Sequence, residues 1–431
     1  MAGKKRRGIT FGTVFMLIMT AAVLGSSAFV LLRLSSGHSV DLSQLQAQVV
    51  QLQTENPAET EANASGNTAA EQTPAITLRR ENNTPAPAES GEKESVLTFG
   101  GIIAVEDQVR KSGYASDTKK YDFTDIFALL KPELRGSLSG AFLENLITDD
   151  AKVSNYVIPA AGAEIMSSAG FSAAFAGFGK AWEKGEAGIS ATIRNLKEKN
   201  VTPLGISTEA AKPRFVLATV NGMHFALMQY TTLVPANTRK TMQRNGADFM
   251  IAEADPETIA SDIAAAREAG AQAVAVLLNW GKAGGKNPEK SQLVLAQQIA
   301  DSGADLIIGA GSRTPQRVEY LDAADGRKVL CAYSLGTLIS DNRKSANRMG
   351  GFLIHIHFKS DENQNPILSR VTYTPTYVWK YRQDSKDYFR VLASNKPSPD
   401  GMDTDQIRQM QKTLAAVQEV LEGSPAEIRQ R

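Results

Sequence analysis

Cysteine is almost absent from the 431-residue chain; Cys331 is the single instance. One thiol excludes both an internal disulfide framework and a thiolate zinc cluster. Histidine is scarce too, with His38, His224, His355 and His357 the four present. Nor does charge of one sign prevail: 47 Lys and Arg face 46 Asp and Glu, for a net charge of +1. Without a broad basic surface, nucleic acid is not an expected partner. What is present is length enough for two or three domains and 42% hydrophobic residues, so a sizeable core is within reach.

The averages conceal unlike materials laid end to end. Residues 1–34 form a basic tip (Lys4, Lys5, Arg6, Arg7) and an uncharged run from Ile9 to Leu32. As a helix that run spans roughly 36 Å, enough for a hydrocarbon core of ~30 Å. The basic tip should stay in the cytoplasm, which places the remainder outside the cell membrane as a single-pass protein. Ser26-Ser27-Ala28 offers a competing cleavage site, but the apolar run continues through Phe29, Val30, Leu31 and Leu32. That is longer than a signal peptide needs, so the reading is an uncleaved anchor. Residues 35–95 follow as a juxtamembrane helix, with Leu42, Leu45, Val49 and Leu52 at helical spacing, and then a linker. The linker, rich in Ala, Thr, Pro, Glu and Asn, has too little apolar surface to offset its ordering entropy and is expected to be disordered.

Residues 96–395 alternate strand and helix patterns. Val96 to Val105 is β-prone, and Phe123 to Leu134 has helical spacing. Asp255 and Pro256 open a helix that Gly270 ends, and Asn287, Pro288 and Gly303 repeat the device. Short buried-type strands follow each helix, from Ala273 and from Asp305, and further strands start near Arg214, Met223, Lys328, Phe352 and Ser369. Such repeated units predict an α/β domain with helices covering a sheet. Residues 396–431 carry one amphipathic helix, with Ile407, Met410, Leu414, Val417 and Leu421 on one side.

Five segments then occur in a telling order. They are Leu97-Thr98-Phe99-Gly100-Gly101-Ile102-Ile103, Tyr121-Asp122-Phe123-Thr124-Asp125-Ile126-Phe127, Leu278-Asn279-Trp280-Gly281, Ala304-Asp305-Leu306-Ile307-Ile308-Gly309 and Tyr333-Ser334-Leu335-Gly336-Thr337. Together they resemble the CapA family of poly-γ-glutamate capsule synthesis proteins, relatives of calcineurin-like metallophosphatases. The resemblance implies a four-layer α/β/β/α sandwich with a divalent-metal site at the strand ends. It also locates where the family's metal ligands would fall. The family's Gly-Asp is Gly100-Gly101 here, and its Ala-Asn-Leu-Glu is Ala141-Phe142-Leu143-Glu144. Its Ala-Asn-Asn-His falls on Gly177 to Lys180, with Gly179 in the third place, and its His-Trp-Gly is Asn279-Trp280-Gly281. Its Gly-His-His-Pro-His falls on Gly309-Ala310-Gly311-Ser312-Arg313, and its final Asn is Thr337.

A two-metal site holds its ions about 3.5–4 Å apart with carboxylate and imidazole ligands. Glycine and alanine supply no side-chain lone pair, and Lys180 and Arg313 repel a cation. The expectation is therefore a pseudoenzyme with no catalytic residue and no metal cofactor. It would serve as a binding or scaffold part in making or exporting an anionic envelope polymer, or as a partner of the polymer-synthesis proteins. Two alternatives stand beside it: an active metal-dependent hydrolase with unrecognised ligands, and a structural docking protein. Lys180 and Arg313 are the candidate anion-binding pair, against the plainer reading of surface residues on relaxed loops. Glu106 and Asp107 read as surface acids, His355 and His357 as structural rather than chelating, and Cys331 as a small buried hydrophobe.

Overall fold

The alternating patterns from residue 95 onward fold into two large sheets. The computed structural model describes residues 75–77, 94–149, 153–362, 365–424, 426 and 428–431. The anchor at 9–32 and the juxtamembrane helix at 41–54 lie outside the described residues. Among the described residues, no helix is long and apolar enough to cross a membrane.

In chain order the first elements are β1 (Ala75–Thr77), β2 (Ser95–Ile103), α1 (Asp107–Ser112), β3 (Leu138–Leu143), α2 (Glu164–Ala169), β4 (Ala173–Phe175), α3 (Gly185–Glu198) and β5 (Thr202–Leu204). Next come β6 (Phe215–Val220), β7 (Met223–Thr231), α4 (Ala236–Arg244), α5 (Pro256–Glu268), β8 (Ala273–Trp280), α6 (Lys290–Asp301) and β9 (Leu306–Gly311). The rest is β10 (Val318–Asp322), β11 (Lys328–Ala332), β12 (Thr337–Ile339), β13 (Phe352–Ser360), β14 (Pro366–Gln383), β15 (Lys386–Ala393), α7 (Thr404–Glu422) and β16 (Arg429–Gln430). A seven-stranded sheet has the order β1-β6-β7-β8-β9-β11-β10. A nine-stranded sheet runs β15-β14-β13-β2-β3-β4-β5, with β12 beside β2 and β16 beside β14.

Strand composition follows from pairing. β8 and β9 have parallel neighbours on both sides, and every residue in them is buried. A strand covered on both faces reads as a continuous apolar run, as here. Its two faces still serve different clusters. Ala273, Ala275 and Leu277 join Leu97, Phe99 and Phe142 in a cluster drawn from both sheets. Val274, Val276 and Leu278 pack with Ile259 and Ile263 of α5 and Ile299 of α6. On the nine-stranded sheet, Ala141 and Leu143 point to a third cluster that includes Ile165, Met166 and Leu196.

Local punctuation was partly legible. Asp255 caps α5, its carboxylate accepting from Thr258 N at 2.9 Å. For α6 the cap lies one residue past Pro288: Glu289 and Gln292 form a reciprocal capping box. Residues 123–134 are a run of turns ending in a 3-10 helix, Lys131–Leu134, and not the expected α-helix. Asp122 accepts from both Thr124 N and Thr124 Oγ1, which competes with helical bonding, and Pro132 lacks an N–H. β14 is far longer than its apolar core predicted, because it pairs in turn with β13 and β15. Part of the linker is also ordered, since Ala75–Thr77 pairs in parallel with Leu217–Thr219. The C-terminal helix packs on the domain through Met410, Thr413, Val417 and Leu421.

Both β13 histidines are buried and bonded. His355 Nδ1 lies 3.0 Å from Thr98 Oγ1, and its Nε2 3.0 Å from Thr374 Oγ1. His357 meets Glu94 and Thr372 in the same way. Burial, aided by Arg431 and His357, pushes the His355 pKa down to about 3. The unfolded chain, titrating near 6.5, therefore binds this proton first as pH falls. The resulting stability is complete above about pH 6.5 and is lost as pH falls toward about 3. Between pH 7 and pH 5 the wild type should lose about 2 kcal/mol through this group. A His355→Asn variant, compared by urea unfolding at both pH values, should show a flatter pH dependence.

Candidate functional site

The parallel strands of both sheets deliver their carboxyl ends to one place, where α/β folds commonly hold ligands. Glu144 follows β3 directly, with its backbone N donating to Ile103 O of β2 at 2.9 Å. Asn279 lies near the end of β8, where its carbonyl accepts from Thr231 Oγ1 and Thr232 N. Arg313 lies two residues beyond β9 in a left-handed backbone conformation, φ +58°. Glu106 is the N-cap residue of α1, and Asn145 Oδ1 fixes the preceding turn by accepting from Val105 N at 2.8 Å.

These four side chains form one network. Asn279 Nδ2 donates to Glu144 Oε1 at 3.0 Å. Arg313 Nε donates to Glu144 Oε2 at 2.9 Å, and Nη2 donates to the same oxygen. The remaining arm, Nη1, donates to Glu106 Oε1 at 2.7 Å. Glu106 Oε2 in turn accepts from Asp341 N at 3.3 Å. The side chains of Arg313, Glu106 and Glu144 are only 17%, 16% and 9% exposed. Thr337 Oγ1 donates to Arg313 O at 2.9 Å and so helps hold the strained backbone.

Electrostatics follow from this crowding. Burial alone disfavours the charged guanidinium, but Glu144 and Glu106 more than offset it, so the Arg313 pKa moves up. Burial pushes the Asp341 carboxyl up, with Glu106 adding to the shift against a hydrogen bond from Gln108 N. One formal positive charge thus faces two carboxylates. Asn279 is 1% exposed, and its Oδ1 has no hydrogen-bond partner among the described residues.

The remaining predicted positions divide by packing. A Cβ on Gly101 would sit 2.2 Å from Gly336 O, so backbone fills the place of a side chain there. On Gly179 it would sit 2.4 Å from Leu233 O. Gly311 lies against the Trp280 backbone. Phe142 and Ala310 turn away from the network into the cluster between the sheets. Trp280 is buried on the helix side and donates from Nε1 to Tyr333 O at 2.8 Å. Lys180 is exposed and has no ion pair among the described residues. Beside the network, a cleft of about 290 Å³ is lined by Thr232, Leu233, Gly281, Lys282, Ser291 and neighbouring residues.

Glu106 is a correction to the sequence reading. It is a partner of Arg313, not a surface acid. Its one available signal was position, since it follows the first parallel strand of its sheet by three residues. Asp341 had no signal, because only the chain's return alongside β2 places it there. Among the described residues, no group of three His, Cys, Asp or Glu side chains is arranged to hold a metal ion. The residues present do not fit a dinuclear metal: two carboxylates and one amide are in place, with a guanidinium between the acids.

Comparison with known proteins follows the same residues. The family model "Bacterial capsule synthesis protein PGA_cap" matches residues 96–342, more than half of the chain. The PGA biosynthesis protein CapA of Bacillus subtilis is 27% identical over 241 residues, which cover 50% of this chain and 60% of that protein. The capsule biosynthesis protein CapA of Bacillus anthracis is 24% identical over 283 residues, covering 62% and 65% respectively. The match thus spans less than two thirds of the length of either relative. Among solved structures, the calcineurin-like phosphoesterase YfkN of Bacillus subtilis aligns with a TM-score of 0.40 at 12% identity. That alignment covers 76% of this chain and 100% of that one.

The packing at Gly101 generates a prediction. Gly101→Ala must displace the Gly336 carbonyl, a backbone atom, and should cost about 3 kcal/mol of stability by denaturant unfolding. Gly101→Asp should cost at least as much. If either variant proves as stable as wild type, the close approach is wrong.

Proposed function

Because the chain belongs to the bacterial capsule synthesis protein family PGA_cap, we propose that it is a non-catalytic binding or scaffold component in making or exporting an anionic capsule polymer. One observation carries the non-catalytic part: the Arg313 guanidinium lies between Glu106 and Glu144 where the strand ends meet. A hydrolytic metal pair needs that position for cations and needs open coordination for water and substrate. Here the acids are committed to a side chain that cannot polarise water or exchange ligands.

The kinship with metallophosphatases and the four-layer stacking belong to the same reading. They are supported by three apolar clusters: one shared by the two sheets, one between the seven-stranded sheet and helices α5 and α6, and one on the other face of the nine-stranded sheet. The single-pass anchor and extracellular placement rest on the sequence of residues 1–34 alone. Given that anchor, β2 sets the orientation. The linker enters at Ser95, and the network lies past the other end of the nine-residue strand, roughly 30 Å away. The network then faces away from the point of tethering.

The polymer class is taken from the names of the relatives, which are PGA and capsule biosynthesis proteins. Of the two candidate anion-binding cations, Arg313 is already matched by two carboxylates. Lys180, exposed on the neighbouring rim, is the one left to meet a polyanion. The apolar stripe of α7 is used within the domain, which removes the simplest basis for docking through that helix.

The purified full chain should bind poly-γ-glutamate with an affinity that falls as salt rises, and Lys180→Ala should weaken it about 2–5-fold at low salt. Metal analysis of the same preparation should find no stoichiometric Mn, Fe or Zn. Stoichiometric metal together with turnover of a phosphodiester or of the polymer would overturn the reading.

A further inference from the structure

We propose that Arg313 is the built-in cation of an oxygen-lined pocket, and that this oxygen set accepts a hard divalent cation once Arg313 is removed. The inference deepens the non-catalytic reading above and rests on it. Its ligand class follows from the atoms present. Glu106, Glu144 and Asn279 arrive from three separate elements and present carboxylate and amide oxygens, the chemistry of Mg²⁺, Ca²⁺ and Mn²⁺ sites.

The second observation is the orphaned Asn279 Oδ1. Its amide nitrogen is bound to Glu144, which fixes the orientation, yet the buried oxygen has no donor among the described residues. The guanidinium bonds only to the two glutamates in this network and leaves that oxygen unmet. A buried acceptor beside two carboxylates is an oxygen that a metal ion would use.

Burying two carboxylates without a cation is costly, so some positive charge is required there. Supplying it from the chain has a consequence suited to a protein that handles a polyanion. A polymer of carboxylates sequesters free divalent ions, but it cannot extract a guanidinium bonded to the backbone. The left-handed φ at Arg313 and the bond from Thr337 fit a residue held in place for this purpose.

The test is thermal unfolding of the full chain in EDTA, in Mn²⁺ and in Ca²⁺. Three forms are compared: wild type, Arg313→Ala, and Arg313→Ala combined with Glu106→Gln and Glu144→Gln. The wild-type Tm should be the same in all three conditions. Arg313→Ala should melt about 5–10 °C lower in EDTA and recover at least half of the loss in ~1 mM Mn²⁺ or Ca²⁺. The triple variant should show no response to either ion. No ion response in Arg313→Ala, or an equal response in the triple variant, overturns the inference. If Arg313→Ala is unfolded in EDTA, refolding on adding Mn²⁺ supports the inference, and failure to refold counts against it. A wild type that itself gains several degrees from Mn²⁺ overturns the non-catalytic reading as well, whereas silence in Arg313→Ala overturns this inference alone.

Discussion

The guanidinium of Arg313 joins two carboxylates that the chain would otherwise bury uncompensated, and most of the site's other features follow from that. Glu144 comes from the end of β3, Glu106 from the turn after β2, and Arg313 from the turn after β9 in the opposite sheet. One planar fork therefore ties the carboxyl ends of both sheets together. Lysine would make a poorer substitute, because a single ammonium lacks a rigid fork aimed at two acids. The side chains are too buried for water to screen the pair, so the geometry has to satisfy the charges.

Backbone closes the same region from the other side. β12 returns beside β2 and brings the Gly336 carbonyl against Gly101, while Leu233 O covers Gly179. Positions where the family resemblance implies metal ligands are thus occupied by main chain or turned into the core, as with Phe142 and Ala310. The place is rebuilt with its own contacts, and the contacts are ionic and directional. That arrangement is consistent with a rigid binding module in capsule assembly and offers no open coordination for hydrolysis.

Much of the fold was legible in local pattern. The apolar runs of β8 and β9, the Asp255 cap and the stripe of α7 each depend on near neighbours in sequence, so composition and periodicity reveal them. The run at 123–134 was misread for an equally local reason: buried apolar residues at helical spacing also serve a string of turns when Asp122 and Pro132 break helical bonding. The strand at Ala75–Thr77 was missed because its stability comes from an edge supplied by β6, more than a hundred residues away.

By itself the sequence determined the alternation of strands and helices, the family to which it belongs, and the lack of imidazole and thiolate at the strand ends. Those properties live in residue identity and short-range spacing. Only the tertiary structure decided that Glu106 is a partner and not a surface acid, that Arg313 is neutralised and not free to hold an anion, and that Asn279 is left with an unmet oxygen. Each of these depends on groups from 34 to 207 positions apart meeting within hydrogen-bond distance. Such meetings are set by sheet order and by the turns that close it, which no local pattern encodes.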